Sequence, residues 1–221
     1  MIIKKLREAG YEEALFGLSL SFYDHKIPAI DECKELKSSL ANSRLLTRRI
    51  DNPEVFWTDA RERRAEQRAK SLAFKGGGHN KYLESIQVWL YVQAPRAWWS
   101  EMDTYRVGIS KNSSSTMHTL AKRRVTSEDF AKGTLLDIID NFNICLNDYH
   151  MEEGPYYHDV TRLKMNLPES WLQERLISCN YMVLQNIIRQ RKGHRLKQWD
   201  IFIDSLLSQL DHPDLVYKEK E

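Results

Sequence analysis

The sequence predicts an α+β fold on three observations: one apolar run of period two in mid-chain, several runs of helical period around it, and no internal repeat or heptad pattern. The strand covers 86–94, where Ile86, Val88, Leu90 and Val92 alternate with Gln87, Trp89, Tyr91 and Gln93. Aromatics on the second face predict that both faces are covered. Pro95 stops the strand, and 96–106 reads as a short helix carrying Trp98, Trp99 and Met102, a setting that predicts burial of the two tryptophans. Upstream, 53–75 has high helix propensity, carries both signs of charge, and ends at Gly76-Gly77-Gly78. Downstream, Ser110-Lys111-Asn112-Ser113-Ser114-Ser115 reads as a turn, because Ser and Asn side chains compete for backbone groups. Thr126-Ser127-Glu128-Asp129 reads as the N-cap of a core helix with Leu135, Leu136, Ile138, Ile139 and Phe142. Leu167-Pro168-Glu169-Ser170 predicts the start of another, running through Leu172, Leu176, Ile177, Val183, Leu184, Ile187 and Ile188 to about Gln190. A last helix carries Trp199, Ile201, Phe202, Ile203, Leu206, Leu207 and Leu210.

The 221 residues, 42% hydrophobic, suffice for one domain or two small ones with a substantial core. With 33 Lys+Arg against 31 Asp+Glu the net charge is +2, which disfavours a protein that coats nucleic acid. Cys33, Cys145 and Cys179 are far apart, so there is no CxxC pair and no even disulfide framework; a reducing, cytoplasmic setting is expected. The early charges Lys4, Lys5, Arg7 and Glu8 argue against a signal peptide, and no run of about 18 apolar residues predicts a membrane span.

Taken singly, the motifs are modest. Lys75-Gly76-Gly77-Gly78-His79 lacks both the preceding strand and the terminal Gly-Lys-Ser/Thr of a phosphate loop, and reads as a helix stop. The seven histidines show no metal-ligand spacing, so no metal is expected. Ser113 to Ser115 have no adjacent base and read as a solvated turn. The basic cluster Arg189, Arg191, Lys192, His194, Arg195 and Lys197, at a helix junction, either binds a phosphate or solvates the turn.

In order and spacing they resemble something specific. Gly78-His79 with Glu84 five residues on, a strand, an aromatic helix, and then Arg106, Ser110, Asn112 and Ser115 resemble the middle of the flavin-dependent thymidylate synthases. Leu167-Pro168, Asn180, Asn186, Arg191, His194 and Gln198-Trp199-Asp200 resemble that family's C-terminal part. The two blocks cover roughly 78–118 and 162–201. The resemblance implies one domain over 1–221, with a central antiparallel or mixed sheet flanked by helices, assembling as a homotetramer. It implies FAD held by His79, Glu84, Arg106, Ser110, Asn112, Asn180, Asn186 and His194. It places the nucleotide at Glu101, Ser115, Lys164 and Arg191, with Ser115 and Arg191 as the catalytic positions. The implied reaction carries a one-carbon unit from methylenetetrahydrofolate to C5 of dUMP or a related pyrimidine nucleotide, with NADPH reducing the flavin.

Several positions depart from the family pattern. Its first signature arginine falls on Thr104, its histidine on Tyr105, and a later arginine on Met117; one extra residue separates Arg106 from Ser110. A substrate arginine becomes Lys164, with Arg162 close by, and a glutamine becomes Glu101, where a carboxylate would repel an anionic ligand. Each charged hydrogen bond lost is worth about 1.5–3 kcal/mol. The alternative function is therefore a catalytically inactive nucleotide-binding or protein-interaction module on the same fold.

Overall fold

The computed structural model describes residues 1–21 and 59–218, which form two compact units: Met1–Gly10 with Leu83–Glu221, and Tyr11–Tyr82. Cys33 and residues 53–58 of the expected first helix lie outside the described residues.

In the first unit, strands β1 (Ile2–Ala9), β2 (Gln87–Pro95), β3 (Ile109–Ser113) and β4 (Leu172–Asn180) form one antiparallel sheet in the order β1-β2-β4-β3. The period-two run is β2: Val88, Leu90, Val92 and Ala94 are fully buried, while Gln87, Trp89, Tyr91 and Gln93 are half-buried. β1, which the sequence reading left without an element, pairs with β2 from Ile2 opposite Gln93 to Ala9 opposite Gln87, with a register shift between Lys5 and Arg7. Gly10 turns the chain out of the sheet at φ +94°; a Cβ there would stand 2.2 Å from the Ser85 carbonyl oxygen.

Two expectations are corrected. The helix expected from Leu167 to Gln190 is β4 followed by a helix over Tyr181–Arg191. Leu-Gln-Glu-Arg-Leu is good helix sequence, but β4 is the inner strand between β2 and β3, and pairing on both sides outweighs a local preference worth tenths of a kcal/mol per residue. The turn expected at Ser110–Ser115 is largely β3, an edge strand whose backbone pairs with β4 from Ile109 opposite Cys179 to Ser113 opposite Arg175. The ladder takes the backbone groups for which those side chains would compete, and an edge position lets the polar side chains stay in water.

The remaining helices of this unit are α3 (Arg96–Met102), α4 (Thr116–Thr119), α5 (Leu136–His150), α6 (Val160–Met165), α7 (Tyr181–Arg191) and α8 (Gln198–Leu207). Trp98, Trp99, Tyr181, Trp199 and Phe202 are buried, and Trp98 lies 4.8 Å from both Trp99 and Trp199 by ring centroids. A second core gathers Leu120, Val125, Phe130, Ile139, Phe142, Leu146, Leu163 and Leu167 around α5 and α6. Thr126 and Asp129 do form a capping box, but on a separate turn at Ser127–Asp129; α5 begins only at Leu136. Ile139 and Phe142 are buried as expected, whereas Leu135, Leu136 and Ile138 are exposed, because the break rotates the start of the helix off the core face.

In the second unit, α1 (Tyr11–Ser19) packs with α2 (Asp59–Leu72). The glycine run follows α2 as a stop, with Gly77 and Gly78 at φ +70° and +83°. No helix among the described residues is long and apolar enough to cross a membrane.

Candidate nucleotide and flavin site

β3 explains how Ser110 and Asn112 come together. In a strand they share one face, and both are exposed there; Lys111 points to the other. Lys111 Nζ donates to the carbonyls of Met102 (2.9 Å) and Tyr105 (2.7 Å) and lies 3.3 Å from Asp103. It thereby satisfies carbonyls left over at the C-terminal end of α3 and holds the turn that presents Arg106. Arg175 of β4 grips Asp103 from the other side, at 2.8 and 2.9 Å. Arg106 is exposed and forms no ion pair among the described residues. Gly108, in the longer spacer between Arg106 and Ser110, sits at φ +70°, where a Cβ would be 2.9 Å from Val183 and 3.7 Å from the Asn180 amide nitrogen.

Asn180 caps α7: its side-chain oxygen accepts from the Val183 N–H at 3.0 Å, which leaves the amide donors facing the Gly108 turn. β3 thus sets Ser110 and Asn112 on one exposed face, and the Gly108 turn that leads into it, two residues after Arg106, lies against the Asn180 amide. A guanidinium without an ion pair among the described residues, a hydroxyl and amides are donors of the kind that a diphosphate accepts from. Asn186, one and a half turns into α7, accepts from Arg189 and Gln190, each at 2.9 Å. Glu84, in the turn Lys81–Ser85, is exposed and belongs to the first unit; His79 is exposed in the second unit.

A second cluster forms where α7 ends. Arg191 Nη1 meets Glu101 at 2.9 Å, its Nε donates to the Tyr105 hydroxyl at 2.9 Å, and the Trp199 indole N–H donates to the same Glu101 oxygen at 2.6 Å. The guanidinium lies 4.9 Å from the Trp199 ring centroid and 5.5 Å from that of Tyr105. His194 Nε2 is 3.2 Å from Arg191 Nη1, and its Nδ1 accepts the Leu196 N–H at 3.1 Å. Glu101 thus serves first as the partner of Arg191, a role the sequence reading did not foresee. Ser115 is exposed at the start of α4, and Lys164 donates to the hydroxyl of Thr116 beside it. Arg162, next to Lys164, is committed to Asp148. Met117 is exposed, and Thr104 bonds only locally, to the Glu101 carbonyl at 2.7 Å.

Trp199, Lys111 and Gly108 were missed as contributors. Lys111 had a signal, since recognising 109–113 as a strand would have set it opposite Ser110 and Asn112. Trp199 stands in the Gln198-Trp199-Asp200 block of the resemblance, but its bond to Glu101 arises only through tertiary contact.

The flavin-dependent thymidylate synthase ThyX of Helicobacter pylori, solved with FAD and dUMP, superposes with a TM-score of 0.65, covering 98% of this chain and 97% of that one at 14% identity. A second structure of the Helicobacter pylori enzyme complexed with FAD and dUMP gives 0.66, covering 98% of each chain at 14% identity. The fold is that of the flavin-dependent thymidylate synthases. No protein-family model and no curated protein matches the sequence. The ThyX-like architecture is therefore carried by the order of elements and the sheet, with few shared side chains. Among the described residues, no group of three or more His, Cys, Asp or Glu side chains could hold a metal ion.

Proposed function

We propose that this chain is a FAD-dependent protein of the thymidylate synthase type, transferring a one-carbon unit from methylenetetrahydrofolate to C5 of a pyrimidine nucleotide, dUMP or a relative. The observation that carries the reading is the exposed face of β3 with Ser110 and Asn112, joined by a turn whose Gly108 lies against the Asn180 amide, on a fold whose solved neighbours hold FAD and dUMP. Bound flavin would supply the redox and one-carbon chemistry, with NADPH as reductant. The chain's own residues bind and orient: Arg106 the diphosphate, Asn180 and the β3 side chains the cofactor's polar groups, Ser115, Lys164 and Arg191 the nucleotide. Glu84, Asn186 and His194 complete the cofactor set of the first unit, and the working form is a cytoplasmic homotetramer.

The test is direct. Purified protein should be yellow or take up added FAD, and dUMP or deoxyuridine should perturb the flavin absorbance. A colourless protein that takes up no FAD at high concentration overturns the reading. The inactive-module alternative is favoured by one observation, the engagement of Arg191 by Glu101 and Tyr105. Release of the C5 proton from a pyrimidine substrate, with FAD, NADPH and methylenetetrahydrofolate present, separates the two: flavin bound without proton release selects the module.

A further inference from the structure

We infer that Glu101 sets the charge class of the ligand at the Arg191 cluster, so that the site takes an uncharged pyrimidine nucleoside in preference to its 5′-monophosphate. This rests on the reading above that the site receives a pyrimidine.

The argument starts from what Arg191 has left to offer. Its Nη1 is spent on Glu101 and its Nε on Tyr105, and the rings of Tyr105 and Trp199 lie close to the guanidinium, so Nη2 is the corner without a hydrogen-bond partner among the described residues. A neutral carbonyl reaching Nη2 gains a hydrogen bond and meets no opposing charge. A phosphate reaching the same corner meets the Glu101 carboxylate, whose side chain is one-third exposed. That carboxylate is held in place by the Trp199 N–H as well as by Arg191, so it cannot swing away without leaving a buried indole donor unpaired. Like charges brought together in this way discriminate between ligands as effectively as a new attraction does.

Two of the neighbouring cations also carry counter-charges. Lys192 pairs with Asp204 at 2.9 Å and Lys197 with Asp200 at 3.6 Å, so three cations of the basic cluster, Arg191 included, carry their own counter-charges. Met117 brings no charge to the vicinity of Ser115, and Lys164, which donates to the Thr116 hydroxyl, keeps its charge. Arg189 and Arg195 form no ion pair among the described residues, Arg189 bonding to the neutral Asn186 side chain, so the discrimination rests on Glu101 at Arg191 itself.

The experiment uses the full chain loaded with FAD and titrates deoxyuridine and dUMP separately by calorimetry, in wild type, Glu101→Gln and Tyr105→Phe. Wild type should bind deoxyuridine at least as tightly as dUMP. Glu101→Gln keeps an acceptor for Trp199 but removes the charge, and should shift the ratio of affinities about tenfold toward dUMP. Tyr105→Phe removes a hydrogen bond to Arg191 without changing charge, and should leave the ratio where it was. Tenfold tighter binding of dUMP by wild type, an unchanged ratio in Glu101→Gln, or no binding of either ligand overturns the inference. If Glu101→Gln does not fold, the wild-type comparison alone decides it. Failure to take up FAD would instead strike the functional reading, whereas a flavin-loaded protein that prefers dUMP strikes only the charge-class inference.

Discussion

Trp98 and Trp99 are adjacent and buried, yet only one has a use for its indole N–H. Trp99 Nε1 donates to the Gln173 carbonyl at 2.9 Å, whereas Trp98 Nε1 has no hydrogen-bond partner among the described residues. Trp99→Phe should therefore cost about 1 kcal/mol more than Trp98→Phe in urea denaturation, because it also strands a carbonyl. Titration gives a second residue-scale prediction. Burial pushes the Cys179 thiol from 9.0 up to about 12, and burial together with the Glu8 carboxylate raises the Tyr181 phenol above its usual 10.0. Between pH 9.0 and about 12 the unfolded chain loses the thiol proton while the folded chain keeps it, so stability falls as pH rises through that window. Tyr181 acts with the same sign above 10.0. Urea midpoints should decline from about pH 9 upward, and Cys179→Ala should lessen the decline. The burial of both tryptophans was legible from their helical setting; which of them would find a partner was not, since Gln173 is brought to Trp99 by the pairing of β4 with β2.

At the scale of elements, the turn between α3 and β3 has the strictest requirements. Gly108→Ala places a side chain at φ +70° and a methyl 2.9 Å from Val183, so it should cost about 1–3 kcal/mol and weaken FAD uptake by displacing Arg106. Loss of stability with unchanged FAD affinity would detach this turn from the cofactor. Asn180→Ala removes the cap of α7 and should cost about 1 kcal/mol, read from the same denaturation curves. The alternation in β2 made that strand readable because one face is wholly buried. β3 and β4 were not readable: β3 is polar because it is an edge, and β4 has the composition of a helix because its cross-strand partners, absent from any local window, decide its state.

For the whole molecule, large apolar side chains remain open to solvent on the single chain, among them Val107 at 89%, Met165 at 82%, Leu136 at 70% and Leu135 at 67%. Surface of this kind suits self-association, and light scattering should return four times the chain mass; a monomer at micromolar concentration would count against the homotetramer. The amino-acid sequence by itself determined the class of the fold, strand β2, the buried aromatic helix α3, the last helix, and the spaced positions that resemble a flavin enzyme. These rest on periodicity and spacing, which are local properties of a chain. Tertiary structure alone decided that β1, β3 and β4 join β2 in one sheet, that Lys111 and Gly108 shape the turn presenting Arg106, and that Glu101 faces Arg191 instead of solvent. Those outcomes depend on pairings between residues far apart in sequence, Gln87 with Asn180 and Glu101 with Arg191 among them, and such partners are set by the packed sheet and its helices.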